Sequence, residues 1–194
     1  VGIVANQPLH KGGVVDSDAC LKMRRFVQLC NAFHMPIVFL EDQPGFMIGT
    51  QAESERILFW AAGLLGAVQR ASVPKLTVHL RKAHGAAVWT MGGQPDSGDL
   101  VYAWPIAIAT GTGPASAVNT IHARELAQAD DPNARRRELE AQYNQAGSVL
   151  RAAKTFGIDD VIRPDETARK IWAWLNLAVR RISDRPGRKA LLFP

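Results

Sequence analysis

The chain has 194 residues, a net charge of +5 and a hydrophobic content of 47%, which is enough for one well-buried core. No stretch approaches about eighteen uninterrupted apolar residues, so we expect no transmembrane helix. Aromatic residues do not alternate with the cations, which argues against a nucleic-acid surface. The sequence opens at Val1 with no charged leader, and we expect a domain of a longer chain or a processed subunit, without a signal peptide.

Four short apolar runs predict buried strands. In chain order they are GIVAN from Gly2, PIVFLED from Pro36, KLTVHL from Lys75 and IAIAT ending at Thr110. GIDDVIRP, from Gly157, predicts a further short strand or turn. Strands that alternate with helical stretches predict an α/β fold with a helical C-terminal extension.

The segments between and after these runs have the apolar spacing of helices. The first, DSDACLKMRRFVQLCNAF, has Asp16 or Ser17 as its predicted N-cap. It carries Cys20 and Cys30, which lack the spacing of a zinc site, so we expect reduced core thiols in a cytoplasmic protein. The other predicted helices are SERILFWAAGLLGAVQRA, PASAVNTIHARELAQA, NARRRELEAQYNQAGSVLRAAKTF and ETARKIWAWLNLAVRRI.

Two strand-to-helix connections contain small residues. In FLEDQPGFMIGT the chain turns at Pro44-Gly45, where glycine permits φ > 0 and a close approach. In RKAHGAA, tiny side chains at residues 85–87 leave backbone N–H groups uncovered before a predicted helix. Such amides can hold negative charge on an oxygen. An ordinary connection and close helix-to-strand packing remain alternatives at the two turns.

The other candidate groups are weaker. His84 is either a general acid or base or a structural residue. Glu41 and Asp42 end a strand and could act as acid or base, although carboxylates at strand ends are commonly solvated. The GTGP turn, residues 111–114, precedes a helix and faintly resembles a phosphate cradle, but it lacks the Lys-Ser/Thr of a P-loop. The serines lack a nucleophile elbow and the histidines lack metal spacing; these are Ser72, Ser97, Ser116, His10, His34, His79 and His122. We therefore expect neither a nucleophilic nor a metal enzyme.

Several motifs in fixed order resemble one known family. VGIVANQP, RRFVQLCNAFHMPIVFLEDQPGFMIGT, ASVPKLTVHLRKAHGAA and YAWP resemble the C-terminal half of the carboxyltransferase (beta) subunit of biotin-dependent acyl-CoA carboxylases of propionyl-, acetyl- or methylcrotonyl-CoA type. The resemblance runs over 1–121 and resumes at GIDDVIRP and GRKALLFP. It implies a crotonase-type ββα superhelix in a single domain, with a 1–121 core and a 122–194 helical extension. The N-terminal half of the subunit would be absent from this chain.

The resemblance also implies a function. The domain would move a carboxyl group from carboxybiotin, on a carrier protein, to the α carbon of an acyl-CoA, without a metal. The backbone amides of Gly45, Phe46, Ala86 and Ala87 would form the biotin-side oxyanion hole. The implied partners are a biotin carboxyl carrier protein or biotin carboxylase subunit, the N-terminal half, and further copies in a dimer-based oligomer of up to six.

The sequence departs from the family pattern at the second turn. Where the family reads AYGGAYDVM this chain reads AHGAAVWTM, so Ala86 replaces a glycine and Trp89 replaces an Asp near the acyl tail. We expect Gly85, Trp89 and His84 on the substrate side, with Trp89 altering the acyl pocket. Two alternatives remain, a biotin-dependent decarboxylase of glutaconyl-CoA type and a non-catalytic assembly domain of crotonase fold.

Overall fold

The computed structural model describes residues 1–93 and 98–183. Its strands are β1 Gly2–Ala5, β2 Ile37–Gln43, β3 Lys75–His84, β4 Leu100–Ala103, β5 Ile108–Thr110 and β6 Asp160–Val161. Its helices are α1 Ser17–Ala32, α2 Thr50–Ser54, α3 Ile57–Arg70, α4 Ala87–Thr90, α5 Pro114–Ile121, α6 Ala123–Gln128, α7 Pro132–Ala146, α8 Val149–Lys154 and α9 Thr167–Ser183. Short 3₁₀ turns cover Lys11–Gly13 and Pro164–Glu166.

The strands form one sheet in the order β1-β2-β3-β4-β6, and all of these pairs are parallel. The long strand β3 has two neighbours on the same side. Its first half pairs with β4, from Leu76 opposite Leu100, and its last residues pair with β5, from Lys82 opposite Ile108. The helices between consecutive strands are the crossovers that parallel pairing requires.

Both faces of the sheet are covered, because alternate residues of β2 enter different cores. Ile37 and Phe39 pack with α1, α3 and α4 in one cluster. Val38 packs on the other face, with Leu76 of β3 and Trp174 of α9. A strand buried on both faces needs a continuous apolar run, which is why the sequence of β2 does not alternate.

Helix α1 fits its predicted signals. Asp16 is the N-cap, with its Oδ1 accepting a hydrogen bond of 2.9 Å from the N–H of Ala19. Cys20 and Cys30 are buried in α1 as free thiols, and burial raises the pKa of Cys20 to about 12. No helix of the described residues is long and apolar enough to cross a membrane.

The structure differs from the predicted elements in several places. Strand β4 was not predicted, because LVYA is too short to show a period. The predicted helix SERILFWAAGLLGAVQRA is interrupted by Arg56, whose left-handed φ of 61° separates α2 from α3. The helices predicted over 114–129 and 133–156 break at His122 and Gly147. GIDDVIRP does contain a strand, β6. GRKALLFP and Ser97 lie outside the described residues.

Candidate active site

The two small-residue turns lie side by side at one edge of the sheet. Each follows the carboxyl end of a strand, the first β2 and the second β3, and these strands are parallel neighbours. A Cβ placed on Gly45 would lie 3.9 Å from the carbonyl oxygen of His84. Ligands of parallel α/β sheets bind at this end of the strands, and the parallel pairing therefore brings together two segments separated by about 40 residues of sequence.

The first turn is Pro44-Gly45-Phe46. Gly45 has φ of 128°, a conformation that side-chain-bearing residues rarely adopt. Val15 anchors the turn, since its N–H donates to Gly45 O at 3.0 Å and its carbonyl accepts from the Met47 N–H at 2.9 Å. Within the described residues the N–H groups of Gly45 and Phe46 have no hydrogen-bond acceptor.

The second turn is Gly85-Ala86-Ala87, at the start of α4. Gly85 has φ of 67° and donates its N–H to Thr110 O of β5 at 2.9 Å. Ala86 is exposed and has helical geometry, with φ of −67°. The N–H groups of Ala86 and Ala87 find no acceptor in the part of the chain that the structure describes. The turn therefore presents free amides from a rigid support.

His84 and Trp89 flank the second turn in opposite environments. His84 is 5% exposed, and its Nδ1 lies 2.8 Å from Thr110 Oγ1. Burial lowers the pKa of this imidazole from 6.5, which favours the neutral ring. Trp89 is 48% exposed and lies one helical turn beyond Ala86. Its backbone N–H donates to the carbonyl of Ala86. The structure thus brings Trp89, but not the ring of His84, to the surface of the site.

A buried polar cluster beneath the turns was missed from the sequence. Glu41 and Gln43 are completely buried and His79 is 1% exposed. Gln43 Nε2 donates to Glu41 Oε1 at 2.7 Å and to His84 O at 3.2 Å. Nδ1 of His79 lies 2.7 Å from Glu41 Oε2, without the alignment of a hydrogen bond. The expectation of a solvated Glu41 was wrong, because helices cover both faces of the sheet.

Asp42 is also buried, at 8% exposed, and it too is not the solvated carboxylate expected. It points to the opposite side of β2 from Glu41 and Gln43, as strand alternation requires. Its carboxylate is 3.0 Å from Arg81 Nη2 and 3.7 Å from Lys82 Nζ. The period of two along LEDQ was the available signal that Glu41 and Gln43 share one face.

The described residues hold no group of three or more His, Cys, Asp or Glu arranged to bind a metal ion. The hydrogen-bond donors that the two turns present are backbone amides, which are uncharged and fixed in position by the fold. Donors of this kind stabilise negative charge that develops on an oxygen during a reaction.

Known proteins share this sequence and this fold. The 12S subunit of methylmalonyl-CoA carboxyltransferase from Propionibacterium freudenreichii subsp. shermanii is 41% identical over 195 residues, covering 100% of this chain and 37% of that subunit. The carboxyltransferase subunit of propionyl-CoA carboxylase from Haloferax mediterranei is 40% identical, covering 97% of this chain and 37% of that subunit. This chain thus spans little more than a third of their length.

A solved structure of transcarboxylase 12S, described as a hexamer assembly with methylmalonyl-coenzyme A and methylmalonic acid bound, superimposes with a TM-score of 0.85 at 41% identity. It matches 100% of this chain, which covers 38% of that one. The crotonase-type fold expected from the resemblance is confirmed. The family described as carboxyl transferase domain matches residues 1–192, and the chain belongs to that family.

Proposed function

We propose that this domain carries out the biotin side of carboxyl transfer between carboxybiotin and the α carbon of an acyl-CoA. The observation that carries the proposal is a set of four backbone N–H groups at two adjacent turns, for which the described residues provide no acceptor; they belong to Gly45, Phe46, Ala86 and Ala87. Within the intact subunit, these amides form the oxyanion hole for the ureido oxygen of biotin.

The donor set fits this group. A ureido oxygen is an uncharged acceptor in the ground state and gains negative charge as the carboxyl group leaves. Fixed N–H dipoles bind such an oxygen more strongly as its charge grows, which is the requirement for catalysis. The absence of side chains beyond Cβ at residues 85–87 leaves room for a bicyclic ring close to the backbone. When bound, carboxybiotin supplies the carboxyl group and, through its ureido nitrogen, the base for the α-proton.

The chain's own residues have two tasks in this proposal. The turns hold the oxygen and so orient the ring, and no ionisable side chain of the turns has to move a proton. Trp89, exposed on the helix face that follows Ala86, lies on the acyl side and restricts which thioesters fit. A bulky indole at this position favours acyl groups that differ from those of relatives with a small polar residue there.

The partners in this proposal are those of a multi-subunit enzyme. They are a biotin-bearing carrier protein, the remaining carboxyltransferase segment that binds the acyl-CoA, and further copies of the subunit. The expected cytoplasmic location belongs to the same proposal and is supported by the free, buried thiols of Cys20 and Cys30.

One alternative has a specific observation in its favour. Ala86 and Trp89 depart from the family pattern at the turn itself, which suits a non-catalytic assembly domain. A catalytic role requires the amides of the two turns and an assembly role does not, so removal of one amide, as in Ala86→Pro, distinguishes the two alternatives. A biotin-dependent decarboxylase would use the same oxyanion hole, and the products formed from a carboxylated acyl-CoA distinguish it from a carboxylase.

The decisive variant is Ala86→Pro in the full-length subunit assembled with its carrier. The φ of −67° at Ala86 suits proline, so the substitution removes the N–H at a position whose φ it can keep. We expect transfer from methylmalonyl-CoA to free biotin to fall by about 100-fold or more, with the melting temperature recorded as a check on folding. A folded variant with wild-type turnover would contradict the assignment.

Gly85→Pro serves as the comparison. Proline cannot adopt the φ of 67° at Gly85, and it also removes the hydrogen bond to Thr110 O. This variant should lose both stability and activity.

The role of Trp89 in the acyl pocket is tested by the same assay with acyl-CoAs of increasing length, comparing the wild-type enzyme with Trp89→Asp. An unchanged order of substrate preference would remove Trp89 from it.

A further inference from the structure

We propose that Gln43 is a positioning residue that fixes the two oxyanion turns relative to each other. The oxyanion turns are the two turns that carry the proposed oxyanion hole, Pro44-Gly45-Phe46 and Gly85-Ala86-Ala87. This inference rests on the proposed function, because it matters only if both turns hold the same oxygen. Gln43 is the last residue of β2 and directly precedes Pro44-Gly45-Phe46. Its side chain donates to the carbonyl of His84, which directly precedes Gly85-Ala86-Ala87.

The backbone pairing of β2 with β3 is irregular just before the two turns. Glu41 pairs with His79, but Gln43 pairs with Ala83, so β3 contains two additional residues in this interval and the register shifts. Regular ladder hydrogen bonds are interrupted at such an irregularity. Pairing resumes at Gln43 and Ala83, and the Gln43 side chain adds a hydrogen bond to the next residue, His84, at the point where both strands turn.

The orientation of the Gln43 amide is determined by its surroundings. Both groups near Nε2 are acceptors, Glu41 Oε1 at 2.7 Å and His84 O at 3.2 Å, so only the nitrogen of the amide can face them. Glu41 is held in turn, with its Oε2 beside His79 and within 2.9 Å of a Cβ placed on Gly93. Gly93 therefore packs directly against the cluster, and a side chain at this position would collide with both His79 and Glu41.

The cluster is not what packing alone would select. Gln43 is completely buried, and its Oε1 has no hydrogen-bond partner among the described residues. An unsatisfied buried acceptor destabilises a fold, whereas an apolar side chain of the same length would not. The amide is better explained by the carbonyl that it holds.

The test uses the full-length subunit assembled with its carrier and measures transfer from methylmalonyl-CoA to free biotin. Gln43→Met keeps the length of the side chain and removes both donors. We expect kcat to fall by about 10-fold, because misplaced amides stabilise the transition state less. The KM for methylmalonyl-CoA should not change, since the thioester is bound elsewhere.

Asn31→Met is the matched control. Asn31 Oδ1 accepts from Ser72 N at 3.0 Å, so it also joins two segments 41 residues apart, far from the turns. Both variants should lower the melting temperature, and only Gln43→Met should lower kcat. Equal effects on kcat would show that Gln43 acts through stability alone and would overturn the proposal.

Gln43→Glu provides a second readout that a purely structural role would not move. A carboxylate at this position repels Glu41 and cannot donate to His84 O, whereas its protonated form can. We expect the ratio of variant to wild-type kcat to rise as pH falls from about 8 to about 6. A ratio that does not change with pH would overturn the proposal, even if Gln43→Met did not fold.

The outcomes separate this inference from the proposed function. If Ala86→Pro abolishes transfer while Gln43→Met retains wild-type kcat, the assignment of the oxyanion turns is supported and the role proposed for Gln43 is refuted. If Ala86→Pro itself transfers at the wild-type rate, the proposed function is wrong.

Discussion

His84 and Trp89 flank the same turn, yet their surroundings give them different roles. The imidazole of His84 is buried against Thr110, and the indole of Trp89 is half exposed beside Ala86. At the scale of single residues, burial decides the chemistry. A buried neutral imidazole that hydrogen-bonds a hydroxyl supports a backbone turn, whereas an exposed aromatic ring can contact a ligand.

The burial of His84 predicts a pH dependence of stability. The folded pKa lies below 6.5, so as pH falls through this value the unfolded chain takes up a proton before the folded one. The stability that neutral His84 contributes is therefore complete above pH 6.5 and is lost as pH falls towards the folded pKa. Between about pH 7.5 and 5.5 the free energy of unfolding in urea should fall more for wild type than for His84→Gln. Parallel curves for the two proteins would contradict this.

At the scale of secondary-structure elements, α9 shows how one helix covers the outer face of the sheet. Trp174 and Ala178, one turn apart, enter the cluster formed by Val38 and Leu76. Trp172 lies on the opposite side of the same helix, 67% exposed. Trp172 and Trp174 are therefore the same residue type on opposite faces of α9, one exposed and one buried.

The two tryptophans of α9 should therefore respond differently to truncation. Trp174→Ala should lower the free energy of unfolding by about 3–5 kcal/mol, because it removes a buried ring and leaves a cavity. Trp172→Ala should change it by less than about 0.5 kcal/mol. Chemical denaturation monitored by circular dichroism measures both. Similar values for the two variants would mean that α9 does not pack as described.

At the scale of the whole molecule, the C-terminal segment supports the second turn. Gly147, between α7 and α8, accepts from the N–H of Ala109 in β5 at 2.9 Å. The next residue of β5, Thr110, binds both His84 and Gly85 N–H. The segment after residue 121, predicted as a helical extension, thus contacts the strand that hydrogen-bonds the second turn and also adds β6 to the sheet.

Gly147 provides the test of this long-range support. A Cβ on Gly147 would lie 2.3 Å from Thr110 Cγ2, whereas a Cβ on Gly157 meets nothing closer than 3.4 Å. Gly147→Ala should lower stability by about 1–3 kcal/mol through overpacking and reduce carboxyl transfer in the full-length enzyme by displacing Thr110. Gly157→Ala should leave stability within about 0.5 kcal/mol and transfer unchanged. Wild-type transfer by a folded Gly147→Ala enzyme would contradict the link from Gly147 to the turn.

Several features could be predicted from the sequence because they depend on nearby residues. Continuous apolar runs specify buried strands whatever their neighbours, so β2 and β3 were confirmed, and Asp16 was confirmed as a cap because capping is local. The glycine and alanine turns after these strands could also be identified, since their small side chains are visible in the sequence. Strand β4 could not, because four residues show no period and its pairing with β3 creates it.

The sequence by itself determined the α/β class, the positions of the two turns and the family to which the chain belongs. Only the tertiary structure decided that both turns lie at one edge, and which of their amides lack an acceptor in the described part of the chain. The parallel register of β2 and β3 places residues about 40 positions apart next to each other. It also buries Glu41, Gln43 and His79 between covered faces. Burial and adjacency depend on every packed element at once, so the period of two along LEDQ could place Glu41 and Gln43 on one face but could not show that they are buried beside His79.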